Sequence, residues 1–267
     1  FRNQVMRMGE DANSVQATHR AVEHALVLLE DNHSFFISSN NTYLYADTDV
    51  RCERPLNGSR VIPNNIGYVS VPGFLGETNS EDAKDFAKTI QEQIRIADID
   101  SLDGWIVDLR WNSGGNMWPM LAGIGPLLGP GPAGYFIDPE GNESSWSYTN
   151  GISYSGRSRQ TQILEPYQLK NPDPRVAILI DNACVSSGEA IAISFKGRPD
   201  TQFFGKPTCG FSTGNRIFRL PHNTTLVLTG ATMADRNKKA YGAAVEPDVL
   251  STKPGEEVQQ AIEYLMN

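Results

Sequence analysis

The stretch Asn182-Ala-Cys-Val-Ser-Ser-Gly-Glu-Ala190 decides how this chain is interpreted. It follows the apolar run Val176–Ile180 and opens a second, helix-compatible apolar run, Ala190–Phe195. A small hydroxyl residue at such a strand-to-helix elbow has its oxygen exposed, and the helix start behind it offers free N–H groups and partial positive charge. The pattern allows a nucleophilic serine beside an oxyanion site, but on this segment alone an ordinary serine N-cap is the commoner interpretation.

Two other segments supply the remaining parts of an acyl-transfer site. The segment Trp105–Asn116 is an apolar strand that runs into an Asn-Ser-Gly-Gly turn, and its paired glycines let the backbone approach a ligand and present N–H groups. The segment Leu29–Phe36 places His33 just after a strong amphipathic pattern. Together the segments offer a nucleophile, a base and an oxyanion hole.

Four motifs in a fixed order carry a resemblance to a known family. They are Val107-Asp-Leu-Arg-Trp-Asn-Ser-Gly-Gly115, Ser186-Ser-Gly-Glu189, Gly205-Lys-Pro-Thr-Cys-Gly210 and Tyr241-Gly-Ala-Ala-Val-Glu-Pro-Asp248. With these motifs the chain resembles the C-terminal processing (tail-specific) serine peptidases in the broad sense, which include the tricorn core protease and the nisin-resistance proteases. The resemblance implies a crotonase-like fold and proteolytic activity.

The identity of the general base separates the branches of this family. Members with a Ser–Lys pair carry the lysine after a Thr-x-Gly segment, but here Phe211 follows Thr208-Cys-Gly210. Lys206, the nearest lysine, stands five positions too early. The tricorn and nisin-resistance branches use a histidine near the N-terminal end, and His33 fits that pattern. An unperturbed imidazole, with a pKa of ~6.5, would suit proton transfer at neutral pH.

The resemblance also assigns roles at the elbow. The family's nucleophile lies three residues before an acidic residue, which selects Ser186 over Ser187 because Glu189 is that acid. Ser187 then contributes a backbone N–H to the oxyanion hole, and Gly114 or Gly115 supplies the second. Glu189 has two interpretations, a catalytic or orienting group and a simple partner of the helix dipole.

Cys184 lies two residues before Ser186 and is a thiol alternative to it, although a free cysteine is more often a packing residue. The chain has 3 cysteines, so at most one internal disulfide can form.

The composition excludes several classes of function. Of the 267 residues, 39% are hydrophobic, which is typical of a globular enzyme, and the net charge of −8 argues against nucleic acid as a partner. No apolar run approaches the ~20 residues of a membrane span, no Cys/His/carboxylate group has zinc spacing, and no phosphate loop is present. We therefore expect no cofactor and no metal, a peptide or unfolded protein as substrate, and no integral membrane span. The resemblance implies an extracytoplasmic location.

The fold class expected from alternating strands and helices is α/β, with a mainly parallel sheet flanked by helices. Residues 1–60 are predicted to form an N-terminal helical segment that carries His33, and residues 61–267 the peptidase core. Within the core, residues 131–165 are a candidate β-rich cap over the site. The aromatic residues of this cap either contact substrate or pack on the core; they include Trp146, Tyr148 and Tyr154.

The leading hypothesis from the sequence is a serine endopeptidase that cuts near the C-terminus of peptides or unfolded tails. The interval from Ser38 to Ile66 is too short for an inserted PDZ domain, which favours the tricorn or nisin-resistance branch. The competing hypothesis is a non-catalytic module that binds an apolar ligand or a peptide on the same fold. The presence of both Ser186 and His33 argues for the enzyme.

Overall fold

Helices and strands alternate along much of the chain, as the apolar patterning predicts. A computed structural model describes residues 1–46, 52–56 and 61–267. The helices are α1 (Arg2–Met8), α2 (Val15–Leu29), α3 (Glu81–Ala97), α4 (Met117–Leu128), α5 (Ser187–Phe195) and α6 (Glu256–Met266). The strands are β1 (Phe35–Ile37), β2 (Tyr43–Tyr45), β3 (Ile66–Ser70), β4 (Gly104–Asp108), β5 (Gly131–Ile137), β6 (Glu143–Thr149), β7 (Ile152–Ser155), β8 (Ser158–Gln162), β9 (Val176–Ile180), β10 (Thr201–Gly205), β11 (Thr213–Leu220), β12 (Thr224–Asp235) and β13 (Val249–Leu250).

The chain divides into two compact units. The smaller comprises Phe1–Arg51 and Thr213–Ala231, and the larger comprises Cys52–Ser212 and Thr232–Asn267. The smaller unit therefore draws on two separate stretches of sequence. The boundary expected between residues 60 and 61 lies beside residues 57–60, which are outside the described part of the chain.

A five-stranded parallel sheet forms the centre of the larger unit, in the order β13-β10-β9-β4-β3. Strands β4 and β9 are its middle strands, and every residue of both is buried. This burial explains their largely apolar sequences, because a parallel sheet is covered by helices on both faces. The carboxyl ends of β4 and β9, which lead into the Gly-Gly turn and the serine elbow, are neighbours in the register through Asp108 and Leu179.

Helices cover both faces of this sheet, which confirms the expected α/β class. Side chains of α3, α4 and α5 belong to the main core cluster with Val107 and Ile178. Helix α6 packs Val258, Ile262 and Leu265 against the other face. The side chains of Ser80 and Asn116 cap the N-termini of α3 and α4.

Residues 131–165 form the four antiparallel strands β5 to β8, so the segment is β-rich as expected. Two of its rings are not available to a substrate, however. Trp146 is 0% exposed and its Nε1–H donates to Ser194 Oγ at 2.8 Å. Tyr148 is 5% exposed and packs on Gly125, where a Cβ would lie 2.1 Å from the ring. Alternate residues of a strand share one face, so both rings point into the core, while Tyr154 is half-buried.

The smaller unit consists of two helices and several antiparallel strands. Strand β1 pairs with both β2 and the first half of β12, and β11 also pairs with β12. Helix α2 follows the N-cap Ser14 and buries Ala21 and Leu26, whereas its last residue, Leu29, is 42% exposed. The loop that follows α2 carries His33.

Candidate active site

The serine elbow of the larger unit has a strained backbone. Ser186 is the N-cap of α5 and has φ 53° and ψ −110°, values that a residue with a Cβ rarely adopts. The preceding Val185 is held because its N–H donates to Asn112 O at 2.9 Å. Such strain persists only where surrounding contacts impose it, and it occurs preferentially at functional sites. The elbow therefore has a conformation that an ordinary N-cap serine does not require.

Glu189 is the main contact that holds this conformation. Its side chain is fully buried, and Oε2 accepts the backbone N–H of Ser186 at 2.8 Å. Oε1 accepts the Thr208 hydroxyl at 2.6 Å and the Gly210 N–H at 2.9 Å. Burial raises the pKa of Glu189 to about 7, and these hydrogen bonds oppose the increase. The carboxylate thus connects the elbow to the 206–211 loop.

The Gly-Gly turn lies directly beside the elbow. Gly114 has φ +81°, and a Cβ on it would lie 2.6 Å from Val185 O and 3.2 Å from the Ser186 Cβ. Only glycine fits this approach without displacing the backbone of the elbow. The turn and the serine elbow therefore lie together, as the sequence predicts.

The fully buried side chain of Asn112 organises the turn. Its Nδ2 donates to Val71 O at 2.9 Å, and its Oδ1 accepts the Gly114 N–H at 2.9 Å. Gly188 of the elbow helix packs against the same residue, since a Cβ there would lie 2.7 Å from Asn112 O. Asn112 appeared in the sequence only as part of a motif, and its polar character inside a buried turn was the signal for a structural role.

The geometry distinguishes the two glycines. The N–H of Gly114 is already bonded to Asn112 Oδ1. The Phe74 N–H donates to Gly114 O, and Phe74 O accepts the Asn116 N–H. The Gly115 N–H takes no part in these two hydrogen bonds. On its other side, Gly115 O accepts the Ser187 hydroxyl at 2.6 Å. The Ser187 N–H belongs to the first turn of α5, where backbone donors have no partner within the helix. Gly115 and Ser187 are therefore better placed than Gly114 to supply oxyanion donors.

A disulfide anchors the loop that supports Glu189. Cys52 and Cys209 are bonded, with their Cα atoms 5.2 Å apart, and Cys209 lies between Thr208 and Gly210. Glu53 next to this bridge donates its N–H to Asn182 Oδ1 at 2.7 Å, so the 52–56 segment also touches the elbow sequence. The sequence allowed one disulfide without indicating its partners.

Cys184 is the free cysteine of the three, and it is fully buried. Burial raises the pKa of its thiol, which keeps the group protonated. The packing interpretation of Cys184 is therefore the one the structure favours over a thiol nucleophile.

His33 belongs to the smaller unit, where three contacts fix its position. Its Nδ1 lies 2.7 Å from Thr213 Oγ1, its backbone N–H donates to Asp31 Oδ1 at 3.2 Å, and its carbonyl accepts Asn215 Nδ2 at 3.2 Å. Burial lowers the pKa of His33 to about 4, against the raising effect of the Asp31 charge. The imidazole is therefore not unperturbed as expected, because partial burial disfavours its charged form.

Several other groups have structural roles or lie apart from the elbow. Asp108 and Arg110 form an ion pair at 2.6 Å, and Arg110 also pairs with Glu257, as expected for a structural network. Lys206 is exposed. Within residues 1–46, 52–56 and 61–267, no group of three or more His, Cys, Asp or Glu side chains could hold a metal ion. In the same residues, no helix combines the length and apolarity needed to cross a membrane.

A serine lies at a strained strand-to-helix elbow, next to a Gly-Gly turn at the carboxyl edge of a parallel sheet, and this arrangement agrees with a comparison of the sequence with known families. Residues 65–251 match Peptidase family S41. Because this match covers more than half of the chain, the protein belongs to Peptidase family S41. The resemblance to C-terminal processing peptidases is thereby confirmed.

Individual relatives agree with this assignment. The chain is 32% identical over 189 residues to the nisin-resistance protein of Lactococcus lactis subsp. lactis, a match that covers 70% of this chain and 57% of that protein. The chain thus spans less than two thirds of this curated relative. A lipoprotein from Streptococcus agalactiae shares the fold with a TM-score of 0.74 and 22% identity, over 98% of this chain and 86% of that one. A candidate peptidase from Parabacteroides merdae has a TM-score of 0.60 and 17% identity, over 99% and 89% of the two chains.

Proposed function

We propose that this protein is a serine endopeptidase that uses Ser186 as nucleophile and His33 as general base, and that it cuts near the C-terminus of peptides or unfolded tails. The observation that carries the proposal is the strained position of Ser186 at the start of α5, three residues before the carboxylate that binds its N–H. This placement exposes a hydroxyl beside unpaired helix donors. The contact between Glu189 and the Ser186 N–H is also half of a capping box, so the backbone strain at Ser186 is the feature that an ordinary N-cap serine does not need.

The proposed reaction proceeds in two steps. His33 takes the proton of Ser186 Oγ as the oxygen attacks the scissile carbonyl carbon, and the resulting oxyanion binds the N–H groups of Ser187 and Gly115. His33 then gives the proton to the leaving amine as the peptide C–N bond breaks, which leaves an acyl-enzyme. A water molecule, deprotonated by His33, attacks the acyl carbon, and the ester bond to Ser186 breaks as its oxygen takes the proton back.

Glu189 is proposed to orient the nucleophile rather than to exchange protons with substrate. Its two oxygens accept hydrogen bonds from Ser186, Thr208 and Gly210, and the backbone of Phe211 also donates to the carboxylate. A carboxylate with these contacts fixes the backbone of the elbow and thereby the direction of the Ser186 side chain. This arrangement supports more than a helix-dipole role, because the Thr208 and Gly210 contacts come from a separate loop.

The substrate class is proposed from the protein's relatives and its charge. The relative from Lactococcus lactis is named for resistance to nisin, and the relative from Streptococcus agalactiae is named a lipoprotein. Both names favour action on peptides outside the cytosol. The net charge of −8 gives no support for nucleic acid as a partner.

Digestion of a peptide library, followed by mass spectrometry of the products, tests this function. We expect cleavage of extended peptides, with cut sites concentrated towards their C-termini and no cleavage by Ser186→Ala. Cuts distributed evenly along the peptides would contradict the end preference but leave the peptidase intact. Identical product sets from Ser186→Ala would contradict the role of Ser186.

A further inference from the structure

We propose that Thr213 is the positioning residue of His33, holding the imidazole in the tautomer whose Nε2 accepts a proton. This inference rests on the proposed function, in which His33 is the general base. The sequence indicated no partner for the ring, because Thr213 stands 180 positions further along the chain.

The distance between the ring and the hydroxyl carries the inference. Thr213 Oγ1 lies 2.7 Å from His33 Nδ1, a full hydrogen bond. Asp31 does not take this place, since its Oδ1 accepts the backbone N–H of His33. The charged neighbour of His33 therefore fixes the loop, and a neutral hydroxyl contacts the ring.

The surrounding sheet holds the hydroxyl and the histidine loop in one frame. Thr213 is the first residue of β11, which pairs with β12. On β11, Asn215 Nδ2 donates to His33 O at 3.2 Å. On β12, the Thr229 N–H donates to Ser34 Oγ at 2.9 Å. Both neighbouring strands thus contact the backbone or side chains of the loop, so that the ring and the hydroxyl keep their relative position.

The chemistry of the pair explains why the position matters. An imidazole that donates its Nδ1–H to a hydroxyl carries its lone pair on Nε2, and only that tautomer is a base at Nε2. Without a partner at Nδ1, the neutral ring exchanges between the two tautomers and rotates more freely. A hydroxyl also adds no negative charge, so it fixes the tautomer without stabilising the imidazolium. Thr213 therefore increases the population of the His33 tautomer that can accept a proton at Nε2.

Substitution of Thr213 tests the inference through activity. Thr213→Val removes the hydroxyl at nearly constant shape, and Thr213→Ser keeps it. We expect Thr213→Val to lower kcat by ~10- to 100-fold, the range typical for a residue that orients a functional histidine, with KM changed less than about 2-fold. Thr213→Ser should restore kcat to within about 3-fold. Thr225→Val, a substitution on the neighbouring strand β12, is the matched control and should leave kcat unchanged.

Nitrogen NMR of the imidazole tests the inference without relying on activity. In the wild-type protein above pH 6, we expect the proton of neutral His33 on Nδ1, and in Thr213→Val a shift towards the Nε2–H form. A wild-type ring protonated on Nε2 would overturn the inference, and so would a Thr213→Ser enzyme as impaired as Thr213→Val. Full activity of His33→Ala would instead contradict the proposed function, and the tautomer measurement would still decide the role of Thr213.

Discussion

The carboxylate of Glu189, in the first turn of α5, accepts the backbone N–H of Ser186, the N-cap of the same helix, at 2.8 Å. The same carboxylate binds Thr208 and Gly210 from a loop 19 and 21 residues downstream. The contact therefore joins the conformation of the proposed nucleophile to the position of a distant loop. Removal of the Glu189 carboxylate should therefore lower catalytic activity more than removal of an equally buried carboxylate elsewhere in the protein.

We expect Glu189→Gln to lower kcat by ~10- to 100-fold. A hydrogen bond to a charged group contributes about 1.5–3 kcal/mol, and the amide can keep only part of the carboxylate's contacts. The measurement is kcat for a cleaved peptide, corrected for the folded fraction. Glu257→Gln, which removes the buried partner of Arg110, is the matched control, and it should lose stability but keep its activity per folded molecule. Equal losses of kcat in both variants would contradict a specific role for Glu189.

The pH dependence of kcat should rise through a value near 7. Burial raises the pKa of Glu189 to about 7, and only the ionised form can accept hydrogen bonds at both oxygens. Because the pKa of His33 is about 4, its imidazole is protonated and loses its function as a base only well below pH 7. Glu189→Gln should therefore remove the rise near pH 7. A pH profile with the same midpoint in wild type and Glu189→Gln would assign the ionisation to another group.

Stability should show the opposite dependence on pH. Because the pKa of Glu189 is raised on folding from 4.5 to about 7, the folded protein binds a proton there that the unfolded chain releases. This contribution to stability is fully present below pH 4.5 and is lost as the pH rises through 7. We expect urea unfolding of the wild type to show a larger decrease between pH 5 and 8 than that of Glu189→Gln. Parallel curves would contradict the raised pKa.

The centre of the larger unit follows from the sequence, because β4 and β9 are buried throughout and are largely apolar. The apolar runs of the sequence coincide with strands β4 and β9 and with most of helix α5, and the elbow and the Gly-Gly turn meet as their motifs imply. Short elements were missed: β1 and β2 have three residues each and show no usable period. The partners of His33 and Cys209 could not be predicted from the sequence either, since both contacts join residues more than 150 positions apart. Tertiary pairing of this kind leaves no local pattern in the sequence.

Breaking the Cys52–Cys209 disulfide should lower both stability and activity. Removing a native disulfide typically costs about 2–5 kcal/mol, and here the bridge holds the loop that binds Glu189. We expect the double variant Cys52→Ser, Cys209→Ser to have a lower Tm and a lower kcat than the wild type. A reducing agent should shift the wild type towards these values and leave the double variant unchanged. A reduced wild-type protein with unaltered Tm and kcat would show that the bridge has neither role.

His33 and Lys206 are alternative bases that mutation can separate. We expect His33→Ala to lower kcat by ~10²- to 10⁴-fold, the range for loss of a general base, while Lys206→Ala leaves it unchanged because that residue is exposed. The measurement is peptide cleavage at saturating substrate. The reverse result, with an inactive Lys206→Ala and an active His33→Ala, would establish a Ser–Lys pair instead.

Covalent labelling by a fluorophosphonate tests the central claim, that Ser186 is an activated nucleophile, most directly. The reagent modifies an activated serine hydroxyl, and peptide mapping locates the modified residue. We expect stoichiometric labelling on Ser186 in the wild type and in Ser187→Ala, and none in Ser186→Ala, with all three proteins folded. Labelling that survives Ser186→Ala and disappears in Ser187→Ala, or a folded wild-type protein that does not label at all, would contradict the claim.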